Sequence, residues 1–403
     1  MNGRRRDVRR REVGGQDPID RRLGPPPSLS TPLTSPVTWL LSLLRTRSAL
    51  GLAPSLTPAV VFLPLGALLG PQALGWLTPR VLGRLDIAVT IALAMLGVLV
   101  GIALGREIRT ARALSVAASL ESFTTIVAVA LAAIYFIGAT QVPISAPVVV
   151  LALALGLCAS ASSATSADPD VEPAAAVAAR IADLDDVLPI VMAMIVFALV
   201  PAVPDARSWM LGVAPLLVGL IVGAIGWLIF ERAESAAERV VFVLGALAIA
   251  GGAAAYLRIS GLAVGLFAGL TWTIAPGRAD RIVQDDLRMV QHPLVVLLLV
   301  TAGALWVPLA AAIWLLPPFL LFRLAGKVMG ASLSAALVDV RPSDLAAYLM
   351  PPGVLAVAFA LNFRQVLSAE AGDVLLSTVA VGTAAFELFA IAIVPHWRAR
   401  VLA

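Results

Sequence analysis

Apolar runs of about 18 to 25 residues recur along most of this chain, each long enough to cross a bilayer core as a helix. They lack the period-two alternation of a membrane-spanning barrel strand. Inside lipid a helix satisfies its own backbone groups, so the expected fold is all-α and polytopic. The composition agrees: 60% of the 403 residues are hydrophobic, 13% are charged, and the mean hydropathy is +0.95, which excludes an ordinary soluble domain. About twelve transmembrane helices are predicted, at 57–76, 85–105, 113–138, 145–166, 176–201, 208–230, 238–257, 259–276, 291–308, 312–337, 345–362 and 374–395.

The chain divides into three parts. Residues 1–36, opening with a run of arginines and continuing Pro/Ser/Thr-rich through PPP, have the composition of a disordered basic tail suited to anionic lipid. No apolar core follows the charges directly, unlike a signal peptide. Residues 37–56 begin with VTWLLSLL, too short to cross, and read as interfacial. Residues 57–397 form the transmembrane domain, with core spans at roughly 113–201 and 312–395. With the tail in the cytoplasm, twelve arginines fall in inside loops and five (Arg80, Arg84, Arg207, Arg258, Arg364) in outside ones, which places both termini inside.

The one cysteine, Cys158, excludes an internal disulfide, and His292 and His396 lie beside prolines at segment ends. No phosphate-binding loop or dinucleotide fingerprint is present. We therefore expect no cofactor, no ATP, no nucleic acid and no enzymatic activity.

Charges at membrane depth are costly and are functional candidates by default. The fifth span, ARIADLDDVLPIVMAMIVFAL, places Asp185 beside Asp186, with Asp183 nearer the interface. Helix neighbours point about 100° apart, so one carboxylate can face a cavity and the other a partner helix. Two carboxylates this close in low dielectric do not both ionise easily, which suits a proton carrier. Pro189 should loosen the helix just beyond them.

Lys327 is the only lysine among 29 basic residues, and it sits in the apolar stretch PPFLLFRLAGKVMGASLSAALV. Arginine is always charged, whereas a buried lysine can release its proton. Arg323 lies one turn away on the same face as a permanent charge. Glu387, in the twelfth span, is expected to pair with Arg323, and Glu121, in the third, to lie either at depth or at the interface.

Two spans look broken. The fourth ends in ASASSATSADPD, with Thr165 and Ser166 as candidate site residues, and the eleventh carries Pro351-Pro352-Gly353. Discontinuous helices expose carbonyls that can coordinate cations. Spans 3-4-5 and 10-11-12 each carry charge, break, charge, the pattern of an inverted repeat.

With LDDVLPI at 184–190, AGKVMG at 325–330, LMPPGVLAVAFAL at 349–361, LLSTVAVGTAAFELF at 375–389, LGALLGP at 65–71 and GLFAGLTW at 265–272, the chain resembles the bacterial monovalent cation:proton antiporter family, of the Asp-Asp type. The similarity runs in order through most of residues 57–395. The resemblance implies a core of crossed discontinuous helices beside a dimerisation domain, a homodimer in the bacterial plasma (inner) membrane, and an elevator-like shift. It implies Asp186 as the main ion-binding carboxylate, assisted by Asp185, and Asp185 salt-bridged to Lys327 in the proton-loaded state. In the family the fourth-span break lies farther ahead of the aspartates than Thr165 and Ser166 do here. The break then falls either at those residues or nearer Cys158 to Ser160.

The reading for function is exchange of Na+ or K+ for protons, with Lys327 as one source of a displaced proton. Three rivals stand beside it. They are a sodium-coupled organic anion symporter on a similar fold, a membrane enzyme acting on lipid, which the short loops disfavour, and a transporter-like sensor without turnover.

Overall fold

The computed structural model describes residues 58–110, 112–140, 147–163, 173–199, 208–277 and 279–401. The basic tail, the 37–56 segment, and Thr165 and Ser166 lie outside the described residues.

Fourteen α-helices and no strand occur among the described residues: α1 Pro58–Leu69, α2 Pro79–Thr110, α3 Arg112–Thr140, α4 Val148–Ser160, α5 Pro173–Leu184, α6 Val187–Leu199, α7 Ser208–Phe230, α8 Ala236–Leu257, α9 Gly261–Ile274, α10 Ala279–Ala304, α11 Ala310–Val338, α12 Pro342–Leu349, α13 Val354–Arg364 and α14 Ala369–Val401. Each of the twelve expected spans coincides with one helix or with a pair. Among the described residues six helices are long and apolar enough to cross a membrane, and up to eight spans result when bent pairs are joined. Helices α1, α4 and α9 are shorter apolar helices. The fifth expected span is α5 and α6, interrupted at Asp185 and Asp186.

The sequence explains these boundaries locally. Ser235 and Ser260 accept hydrogen bonds from the amides of Glu238 and Ala263 and so cap α8 and α9. Pro351-Pro352-Gly353 cannot continue α12, and α13 leaves it at an angle of 53°. Large apolar side chains such as Leu131, Ile195, Ile221, Val241 and Ile313 are exposed, as on helices that face lipid.

Two close helix crossings organise the packing. Helix α2 crosses α9 through glycines on both, where a methyl at Gly97, Gly265 or Gly269 would overlap the other backbone. Helix α3 crosses α11 through glycines on α11 alone: a methyl at Gly326 would strike Thr125, and one at Gly330 would strike the backbone of Glu121. Helices α4, α12 and α14 pack onto the α3–α11 pair, whereas α7 and α8 pack onto α9 and α2.

The expected break in the eleventh span is present, and the end of the fourth-span helix meets it. Helix α4 stops at Ser160, and residues 161–163 run non-helically against the 350–353 break between α12 and α13. The amide of Ser163 donates to the carbonyl of Pro351 at 2.9 Å. The described non-helical residues at the end of the fourth span are 161–163, just after Cys158 to Ser160, which are still helical, whereas Thr165 and Ser166 lie outside the described residues.

Candidate functional site

The close α3–α11 crossing matters because Lys327 stands between Gly326 and Gly330 on α11. With no side chain on either glycine, the helices approach until Lys327 is fully buried against α3 and the α4 break. Its ammonium ion-pairs with Glu121 of α3 at 2.8 Å and lies 3.6 Å from Asp185 Oδ2. It donates to the hydroxyl of Ser162 at 2.5 Å and to the backbone carbonyl of Ser160. The Ser162 hydroxyl in turn donates to Asp185 Oδ2. A continuous polar path therefore runs from the ammonium through Ser162 to the aspartate.

Asp185 and Asp186 occupy the interruption between α5 and α6. Asp185 is fully buried and Asp186 is 2% exposed. Ser122 of α3 fixes the turn by donating its hydroxyl to the Asp185 carbonyl at 2.5 Å. Among the described residues, Asp185 Oδ1 and Asp186 Oδ1 are buried and accept no hydrogen bond. A buried carboxylate oxygen with no donor is costly unless a proton or a cation meets it.

Arg323, one turn before Lys327, holds the breaks together. Its guanidinium donates to the carbonyl of Met350 at 2.8 Å and to that of Ala161 at 2.9 Å, one from each break. These carbonyls lie at the C-terminal ends of α12 and α4, where helix dipoles favour a cation. The guanidinium also lies over the Phe386 ring, 4.6 Å from its centroid.

The expected Arg323–Glu387 pair is not formed. Glu387 instead accepts from the Val60 amide at 3.2 Å, at the start of α1. The reason is helical rotation: Phe386 faces Arg323, and the next residue points about 100° away. The anticipated lysine–aspartate pair is present but longer than the Lys327–Glu121 pair. Glu121 thus belongs to the cluster, and it is 0% exposed. Its signal in the sequence was an acid in an apolar span; its pairing with Lys327 had none. Ser122, Ser162 and Ser163 also went unassigned, and only the hydroxyl-rich run pointed to the last two.

Among the described residues no three His, Cys, Asp or Glu side chains are placed to hold a metal ion together. Any cation at Asp185 and Asp186 would therefore be met by two carboxylates with hydroxyl or backbone oxygens, a set of hard ligands suited to hard cations.

The fold is shared with a solved structure, that of the sodium proton antiporter MjNhaP1 from Methanocaldococcus jannaschii at pH 8. The two superpose with a TM-score of 0.58 over 83% of this chain and 92% of that chain, at 16% sequence identity. No family model matches this chain. No curated protein matches it either.

Proposed function

We propose that this chain is a secondary antiporter that exchanges a monovalent cation, Na+ or K+, for protons, and that Asp185 and Asp186 carry both. The observation that supports this most is the pair of buried carboxylate oxygens without hydrogen-bond donors, Asp185 Oδ1 and Asp186 Oδ1, at a helix interruption. The likeness of the fold to a sodium proton antiporter points the same way.

The physical argument is a competition. Two adjacent carboxylates in low dielectric cannot both stay ionised without a counter-charge. Either a proton or a cation supplies it, and each arrival favours departure of the other. A site carrying neither is the costly state, so the empty protein does not readily turn over, and transport is obligatory exchange. Asp186 receives the cation and Asp185 supports it. Ser162 and Ser122 hold Asp185 in place, and Arg323 keeps the carbonyls of the two breaks ordered.

On this reading the chain works in a bacterial plasma membrane with both termini inside, as a homodimer. The test is proton flux in proteoliposomes carrying an internal pH dye, with each alkali cation added in turn. We expect Na+ or K+ to drive proton movement that the Asp186→Asn variant lacks. Counterflow of an organic anion without proton flux would replace this reading with symport.

A further inference from the structure

We propose that Glu121 is a positioning residue that draws the Lys327 ammonium away from Asp185 and so leaves that carboxylate free for a cation; the inference rests on the exchange reading above. An ammonium is itself a cation, and one tethered beside a cation-binding carboxylate competes for it. An ammonium has three N–H donors. Three oxygens lie nearer to it than Asp185 Oδ2 does: Ser160 O, Ser162 Oγ, and Glu121 Oε1 at 2.8 Å, against 3.6 Å for Asp185. The first two are neutral, so Glu121 is the charge that outbids Asp185.

The placement of Glu121 is built into the helix crossing. Gly330 packs against the Glu121 backbone and Gly326 against Thr125, which sets the acid beside Lys327. All three ionisable groups are fully buried, so no solvent weakens the pairing.

Neutralising Glu121 leaves Asp185 as the nearest acid to the ammonium. The lysine then moves onto Asp185 Oδ2, and its charge neutralises the carboxylate whose Oδ1 a cation needs. The Glu121→Gln variant should show an apparent cation KM raised about tenfold or more, the size of one buried charge-assisted contact, with a maximal rate close to native. Glu121→Asp keeps the charge and should restore most of the native KM. Because Glu121 acts only through the lysine, adding Glu121→Gln to a Lys327→Gln background should leave KM where Lys327→Gln alone put it.

The experiment is cation-dependent proton flux in proteoliposomes for the native chain and these variants, each first checked by size-exclusion chromatography. A native-like KM in folded Glu121→Gln overturns the proposal. So does an equal KM shift with and without Lys327, and this comparison decides the matter if Glu121→Gln alone does not fold. Absence of flux in the native chain would instead defeat the exchange reading itself.

Discussion

The amide of Ser163 donates to the carbonyl of Pro351 at 2.9 Å, so the chain leaving α4 is joined to the break between α12 and α13. Gly353 packs against Ser162 at the same place. Ser162, which links Lys327 to Asp185, is one residue from a backbone bond that fixes it.

Arg323 should be irreplaceable by lysine. Its planar fork reaches the carbonyls of Met350 and Ala161 together and stacks on Phe386, which a point charge cannot do. Arg323→Lys should lower the melting temperature in detergent, and Arg323→Gln should lower it further. Hydrogen bonds to a charged group contribute about 1.5 to 3 kcal/mol each. Unchanged melting in both would remove Arg323 from its bridging role.

The glycines beside Lys327 should tolerate no side chain. Gly330→Val would force α3 from α11 at the Glu121 backbone. Overpacking of this kind costs roughly 1 to 3 kcal/mol, and it also moves Glu121 from the lysine. The variant should melt earlier and lose exchange. Gly245→Ala, at a position with open space around it, is the control and should behave as native.

A third expectation concerns the contact between the two sets of helices. Asn362 of α13 donates to Ser260, the cap of α9, at 2.9 Å, and Gln365 reaches Thr90 at 3.0 Å. If the broken helices shift against α2 and α9 during exchange, these bonds must part. With Cys158 replaced by alanine, a disulfide between Ser260→Cys and Asn362→Cys should stop exchange, and a reductant should restore it. Full exchange by the cross-linked protein would show that this contact stays closed throughout.

Ser162→Ala tests the polar path. It removes the hydroxyl that accepts from Lys327 and donates to Asp185. The lysine and the aspartate are then linked only through space, and Asp185 loses the hydroxyl that donates to it. We expect a change in the pH dependence of cation-driven flux, measured in proteoliposomes across the neutral range.

Much of this arrangement can be read from residues alone, for identifiable reasons. Apolar runs of bilayer length mark each helix or helix pair, and Pro351-Pro352-Gly353 marks a break because its backbone cannot continue a helix. The fourth-span break is harder, since in ASASSATS one small hydroxyl residue is locally equivalent to another. Glu121 and Lys327 are 206 positions apart, and nothing local in either segment names its partner. Only the glycine-mediated crossing of α3 and α11 brings them together. The Glu387 pairing failed on a single step of helical rotation, which spacing along one helix does not resolve across two.

The central claim is that one buried site is neutralised by a proton or by a cation, and never by both. Titration calorimetry of the detergent-solubilised protein, repeated in buffers of different ionisation enthalpy, counts the protons released when Na+ or K+ binds. Release of protons on binding, absent in Asp186→Asn, is the predicted result. Cation binding that releases no proton, or that persists unchanged in Asp186→Asn, would contradict the account.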